Sequence, residues 1–245
     1  MDILYVLGHH SKWEDNELRY SLRSLEKYGK NIDNMYLIGY NPGFLSDKIN
    51  ILDYTDTYKH IQKQKNILKA ICYAVDYFKL DEFLYSSDDH FYIKETDFDN
   101  YPYFSRGELS KNPDTIKAVV YRKSLKDTRN ILEHNGYTYY NFSQHGNTHM
   151  SKQAIYYAKL IIEKSYSTLY GCEPTCILLN VLYKYKKFPI IQREDVKIFK
   201  DFTTKEDLLN RLGDREVFSI SNETLKVGMK ECLQELFPYK SKYEL

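Results

Sequence analysis

Long apolar runs are missing from this chain, and so are paired cysteines, a net charge of either sign and low-complexity tracts. The opening MDILYVLGHHSKW has an acidic second residue and only a short apolar run, too short for a signal peptide or a membrane span. The four cysteines, Cys72, Cys172, Cys176 and Cys232, form no CxxC pair. Cys172 and Cys176 would still need two further ligands to hold a metal. Free buried thiols and a reducing, cytoplasmic setting are therefore expected. Lys and Arg total 35 against 34 Asp and Glu, a net charge of +1, which disfavours a general nucleic-acid binder or a polybasic membrane module. Tryptophan occurs once against 25 tyrosines. Because Tyr, Lys, Asn and Ile all have AT-rich codons, the tyrosines by themselves identify no function.

What is present is an ordinary globular balance, 42% hydrophobic and 28% charged, which excludes wholesale disorder. A chain of 245 residues can bury a sizeable core as one large domain without a disulfide or structural metal. Apolar runs at Ile3–Leu7, Met35–Gly39, Ile49–Leu52 and Glu82–Tyr85 read as short buried strands. Leu18, Leu22, Leu25 and Tyr28 repeat at helical spacing over Glu17–Tyr28, and Gly29 stops that helix. Ile67, Leu68, Ile71, Ala74, Val75 and Phe78 predict a second amphipathic helix over Asn66–Phe78.

This alternation predicts an α/β fold, a mostly parallel sheet flanked by helices. Ligands of such sheets sit at the carboxyl ends of the strands, so the loops at 8–16, 40–46 and 86–90 should share one functional edge. Residues 94–114 read as loop. Helices are expected at about 115–134, 151–165, 173–186, 204–212 and 222–236, with a strand near 195–199. The expected organisation is one domain over 1–245, with a ligand-binding half (1–95) and a helix-rich half (96–245) on the acceptor side.

The strongest local signal is Asp88-Asp89-His90 directly after the strand EFLY. Adjacent carboxylates resist joint ionisation unless a cation sits between them. Hard divalent cations often bind through one or two carboxylates plus substrate phosphates. Asp88 and Asp89 are thus candidates to hold Mn²⁺ or Mg²⁺ against a diphosphate; a solvated turn is the plainer alternative. Arg19 and Arg23 share one face of the first helix, available to phosphate, to the Asp pair or only to water. Lys12 and the backbone around Gly8 could meet a phosphate at that helix start. In QHGNTHM, His145 and His149 could act as acid or base or complete a metal site, although Gly146 argues for a loop. His149 is the candidate third metal ligand, beside Asp88 and Asp89. Glu173 could be an acceptor-side base, or merely a charge favoured at a helix start.

The blocks MDILYVLGHHSKWEDNELRYSLRSLEKYG, NMYLIGYNPGFL, QKNILKAI and FLYSSDDHFYI together resemble the Stealth proteins, sugar-1-phosphate transferases of capsule synthesis with a GT-A-type nucleotide-sugar-transferase core. The likeness covers about the first 95 residues and thins to HGNTHMSK, FSISNETL and FPYKSKYEL. This chain has LGHHSKW where those enzymes carry a WVDGSDP-like segment, and it lacks their long stretch before NELRYSLRS. It is a compact version, closer in build to simple glycosyltransferases. The resemblance implies a GT-A-like fold, with Asp88 and Asp89 at the metal and diphosphate. It also implies that Asn66 reaches donor or acceptor and that Lys63 neutralises phosphate. The tail FPYKSKYEL is expected to dock through Phe237 and Tyr239.

Three activities compete on these residues. The first is metal-dependent transfer of a sugar from a UDP- or GDP-sugar to a saccharide or other hydroxyl acceptor, with Asp89, His145 and Glu173 as catalytic candidates. Donor contacts would come from Gly8, Lys12, Arg19, Lys63, Asn66 and Asp88. The second is Stealth-type transfer of hexose 1-phosphate. The third is an inactive saccharide- or nucleotide-binding module. A glycosyltransferase acting on phage DNA bases is a further variant that the neutral net charge does not favour.

Overall fold

The computed structural model describes residues 1–9, 11–113, 116–221 and 223–245. His10 of the first loop, Thr115 at the start of one expected helix and Asn222 at the start of another lie outside the described residues. In chain order the elements are β1 (Asp2–Leu7), α1 (Asn16–Tyr28), β2 (Gly29–Lys30), β3 (Met35–Gly39), β4 (Ile49–Asp53), α2 (Lys63–Phe78) and β5 (Glu82–Ser86). There follow β6 (His90–Tyr92), β7 (Thr96–Asp97), β8 (Tyr103–Ser105), α3 (Val119–His134), β9 (Thr148–Ser151), α4 (Lys152–Tyr157), α5 (Lys159–Ser167) and α6 (Pro174–Tyr185). The chain continues with β10 (Ile190–Gln192), β11 (Lys197–Ile198), α7 (Lys205–Leu212), β12 (Val217–Ile220) and α8 (Val227–Leu236).

The central strands β1, β3 and β5 are mostly apolar because both faces of the sheet are covered. Leu4, Ile38 and Phe83 pack against α2, α3, α5 and α6, while Ile3, Tyr5, Leu37 and Leu84 pack against Leu18, Leu22 and Leu25 of α1. The main sheet has the order β4-β3-β1-β5-β9. β1, β3, β4 and β5 run parallel, as the alternation predicts. From β1 the chain builds outward through β3 to β4, then returns through α2 to lie on the other side of β1 as β5. The strand order therefore reverses between β1 and β5, and a crevice opens beyond the carboxyl ends of strands at such a reversal. Gly39 fits this edge for steric reasons: its φ is +129°, and a Cβ there would lie 1.9 Å from the Leu7 carbonyl oxygen.

The second half is less purely helical than its sequence suggests. QHGNTHM runs into a strand, β9, which pairs antiparallel with β5 and completes the main sheet. The VFSI segment forms β12, between β11 and an antiparallel β6, in a separate three-stranded sheet. This sheet and α7 and α8 enclose a further core of Phe91, Phe218, Ile220, Leu208 and Leu233. Both strands are short and sit beside glycine or polar residues, which hides their period of two.

The C-terminal tail docks, but not through Tyr239, which is 84% exposed. Phe237, Ser241, Tyr243 and Glu244 are the buried residues. Tyr243 and Leu245 exchange backbone hydrogen bonds with Ser46 and Phe44, tying the tail to the loop after β3. The Glu244 side chain is fully buried between Arg19 (2.9 Å) and Arg23 (2.8 Å), and the Ser241 amide and hydroxyl also donate to it. Burial opposes its charge, but Arg23, Ser241 and Arg19 hold its pKa down to about 2. The stability this contributes is complete above the unfolded-chain value of roughly 4.3 and is lost as pH falls toward the folded value. Glu244→Gln should therefore cost roughly 3 kcal/mol at pH 7. Urea melts should show the gap to the native chain narrowing between about pH 4.5 and 2. Equal stability at pH 7 would contradict the clamp.

Candidate active site

The loops that follow β1 and β5 meet at the strand-order reversal. After β1, Ser11 organises the first loop. Its hydroxyl accepts from the amides of Trp13 (3.0 Å) and Asp15 (2.8 Å) and donates to Glu17 (2.8 Å). Glu14 and Asp15 adopt left-handed backbone at the start of α1, with φ of 53° and 56°. This turn buries Glu17, in the first turn of α1, to 5% exposure. Gly8 has open space around it, and Lys12 is exposed in the same loop.

After β5, Asp88 and Asp89 occupy opposite electrostatic situations. Burial raises the pKa of Asp88, and the charges of Asp89, Glu17 and Asp15 raise it further. Among the described residues no cation forms an ion pair with Asp88. Asp89 is shifted the other way. Burial opposes its charge, but Lys197, His90, His145 and Ser219 outweigh that cost and lower its pKa. Its Oδ2 accepts from the Ser219 hydroxyl at 2.7 Å and from Lys197 Nζ at 3.3 Å. These partners come from β12 and β11, so the small sheet holds one aspartate of the pair and leaves the other facing carboxylates. His90 is buried, and desolvation lowers its pKa to about 4, which keeps it neutral at pH 7.

A second ionic group adjoins Asp89. His145 Nδ1 lies 2.7 Å from Asp195 Oδ1, and Arg106 lies 3.2 Å from Asp195 Oδ2. Burial opposes the Asp195 charge, but His145 and Arg106 bring its pKa down to about 2. His145 thus stands in the electrostatic neighbourhood of the Asp pair, ring oriented by a carboxylate. On the α2 side of the sheet, Glu173 precedes the first turn of α6 without a side-chain capping bond and is buried, with its pKa pushed up to about 7 by desolvation. The exposed Lys63 ammonium acts on it. The Tyr85 phenol responds to Glu173, Asp88 and Asp89 alike, so all three lie around the end of β5.

Three expected residues do other work. Arg19 does not face the Asp pair; it pairs with Glu244 and stacks 3.8 Å over the Phe44 ring. Asn66 is not presented to a ligand. Its amide accepts from the Tyr58 backbone N–H (2.9 Å) and donates to the Tyr58 carbonyl (3.0 Å), fastening the preceding loop to α2. His149 does not join Asp88 and Asp89 as a third ligand. It sits opposite Leu84 in the β5–β9 pair, bonds through Nε2 to the Tyr101 carbonyl and stacks 4.1 Å from Tyr103. It lines a cavity of about 10 Å³, the size of one water, with Glu82 at the opposite end of β5. An extended strand sends successive side chains to opposite faces, and β9 fixes this histidine on the α1 face.

Sequence reasoning missed Glu17, Lys197, Ser219, Asp195 and Arg106. Glu17 carried a readable signal, an acid in the first turn of a helix that leaves the functional edge. The other four reach the site only through pairings between distant segments.

Among the described residues no three His, Cys, Asp or Glu side chains are grouped so as to hold a metal ion by themselves. The donor set nevertheless fits a hard divalent cation that is completed by phosphate oxygens, because such ions bind through one or two carboxylates plus substrate. Asp88 supplies a carboxylate without an ion-pair partner among the described residues, and Asp89 retains Oδ1, which has only the neutral His90 imidazole nearby, at 3.8 Å.

No protein-family model and no curated protein matches the chain, so the Stealth resemblance rests on the quoted blocks. A solved structure, described as a glycosyltransferase involved in the glycosylation of the major capsid of PBCV-1, is similar at 11% identity. That match covers 98% of this chain and 100% of the other with a TM-score of 0.42, too distant to bear on activity. No helix among the described residues is long and apolar enough to cross a membrane.

The assignment of Asn66 to architecture has a direct check. Asn66→Ala should lower unfolding free energy by about 2 kcal/mol through loss of its buried hydrogen bonds. Limited proteolysis should then cut faster within residues 54–62. An unchanged melting curve and cleavage rate would return Asn66 to the list of ligand contacts.

Proposed function

We propose that this protein is a GT-A-like glycosyltransferase that moves a sugar from a nucleotide-sugar donor to a hydroxyl acceptor with the help of a divalent cation. The observation that carries the reading is the Asp88 carboxyl at the β1/β5 strand-order reversal, crowded by Asp89, Glu17 and Asp15 with no ion-pair partner among the described residues. A half-buried carboxyl crowded by like charge costs stability. Its simplest purpose is to receive a cation together with an anionic ligand.

The same charges bear on the donor. A diphosphate approaching Asp88, Glu17 and Asp15 unaided would be repelled, so cation and donor should bind together. The cation, when bound, would offset the charge that develops on the departing nucleoside diphosphate. Asp88 would be its first protein ligand and Asp89 its second. Lys197 and Ser219 would fix the Asp89 carboxylate so that it need not reorganise during the reaction. Gly8 leaves room at the edge for the donor, with Lys12 and Lys63 as exposed cations at its rim. His145, oriented by Asp195, would lie on the β11 side of the pair, available for hydrogen bonding or proton exchange.

Isothermal titration with UDP- and GDP-sugars tests this reading. With Mn²⁺ one donor class should bind, and EDTA should abolish the binding. Asp88→Asn should reduce turnover at least 100-fold while leaving thermal stability equal or higher, since it removes one of several repelling buried charges. Donor binding unaffected by EDTA, or a wild-type rate in Asp88→Asn, would contradict the reading.

A further inference from the structure

On the face of β5 opposite α1, the N-termini of α2 and α6 are pressed together. Gly171 permits this: its φ is +84°, and a Cβ there would lie 2.7 Å from Lys65 Cγ and 2.9 Å from Lys65 N. At the junction Gln64 Nε2 donates to Glu173 Oε2 at 2.7 Å. Gln64 is 5% exposed and Glu173 8% exposed. The other end of the same amide, Gln64 Oε1, is buried without a hydrogen-bond partner among the described residues. The buried hydroxyl of Thr175 has none beyond a weak contact with the Cys176 thiol. Buried polar groups are nearly always paired, so an orphaned carbonyl held beside a carboxyl calls for an explanation.

The chemistry of the group narrows what would satisfy it. A carboxylate and an amide carbonyl both accept hydrogen bonds, and the threonine hydroxyl can do either. The set is rich in acceptors and carries negative charge when Glu173 is ionised. Phosphate oxygens bring no donor for the amide carbonyl or the carboxylate, and the exposed Lys63 ammonium already acts on Glu173. A ligand carrying neighbouring O–H donors would fit. Tyr85, which responds electrostatically to Glu173 and to both aspartates, puts this group on the same edge as the Asp pair.

We propose that Glu173 and Gln64, with Thr175, form the acceptor subsite, that its ligand is a neutral saccharide presenting adjacent hydroxyls, and that Glu173 takes the proton of the hydroxyl that attacks. This rests on the glycosyl-transfer reading above. In the step, the acceptor oxygen bonds to the anomeric carbon as the bond from that carbon to the diphosphate oxygen breaks. The electron pair of the broken bond leaves with the nucleoside diphosphate, and the hydroxyl proton passes to Glu173 and then to solvent. Gln64 is a positioning residue for the carboxylate and binds the second hydroxyl through Oε1.

The test measures UDP or GDP release from the donor that binds, with Mn²⁺, in water alone and with methyl hexosides or duplex DNA added. Methyl hexosides should stimulate release by the wild-type protein, and duplex DNA should not. Glu173→Gln retains an acceptor for the Gln64 amide and should fold. It should lower acceptor-stimulated release at least 100-fold with donor affinity changed less than twofold. Gln64→Leu, confirmed as folded by its thermal transition, should raise the methyl hexoside KM at least fivefold and also lower kcat, because the Glu173 carboxylate loses its amide donor. Stimulation by DNA instead of hexosides, or wild-type stimulated release in Glu173→Gln, would overturn the subsite and leave the transfer reading standing. Failure of the wild-type protein to bind or turn over any UDP- or GDP-sugar would overturn both.

Discussion

The pairing of β1 with β5 sets the position of nearly everything described above. Asp2 to Tyr5 lie in parallel register against Phe83 to Ser86, so the two strands end side by side and their loops leave from one edge. Because β3 and β4 lie on the other side of β1, this is also where the strand order reverses, and a crevice opens beyond the carboxyl ends of strands at such a reversal. The loop that buries Glu17 and the turn that carries Asp88 and Asp89 are thereby forced together. The crowding of carboxylates is a consequence of topology, and the raised pKa of Asp88 is its electrostatic trace.

Two charge networks treat buried carboxylates in opposite ways, and the contrast separates architecture from chemistry. Glu244 is fully satisfied by two arginines and Ser241, a closed arrangement in which no lone pair is left for a ligand. It anchors the tail and, through Ser46 and Phe44, steadies the loop after β3. At the opposite extreme, the charges that act most on Asp88 are those of Asp89, Glu17 and Asp15, and Gln64 Oε1 has no hydrogen-bond partner among the described residues. Asp89 lies between these cases, half neutralised by Lys197 and Ser219. On the proposed function, cation and ligand would complete the balance along this sheet edge.

The sequence was most legible where local pattern and tertiary environment agree. The four parallel strands and both helices of the first half were readable because strands buried on both faces are apolar throughout and because Leu18, Leu22 and Leu25 keep strict helical spacing. Asp88 and Asp89 were readable as the end of one such strand. What could not be read depended on partners far away in the chain. Arg19 and Arg23 looked like phosphate ligands because nothing near them in sequence reveals Glu244. His149 looked like a metal ligand because Gly146 disguised a strand, and a strand fixes which face a side chain occupies. Asn66 looked available because its partner is a backbone amide and carbonyl, which leave no mark in a sequence. Lys197 and Ser219 were invisible for the same reason as β12, whose pairing with β6 spans more than a hundred residues.

The claim on which the rest depends is that the β1/β5 edge receives a cation and a nucleoside diphosphate together. A crystal grown with MnCl₂ and UDP, measured at the manganese absorption edge, tests it most directly. The account predicts one strong anomalous peak in coordination contact with the Asp88 carboxylate and with diphosphate oxygens beyond the carboxyl ends of β1 and β5. UDP density at that edge without a manganese peak, or manganese and nucleotide bound anywhere else on the molecule, would contradict it.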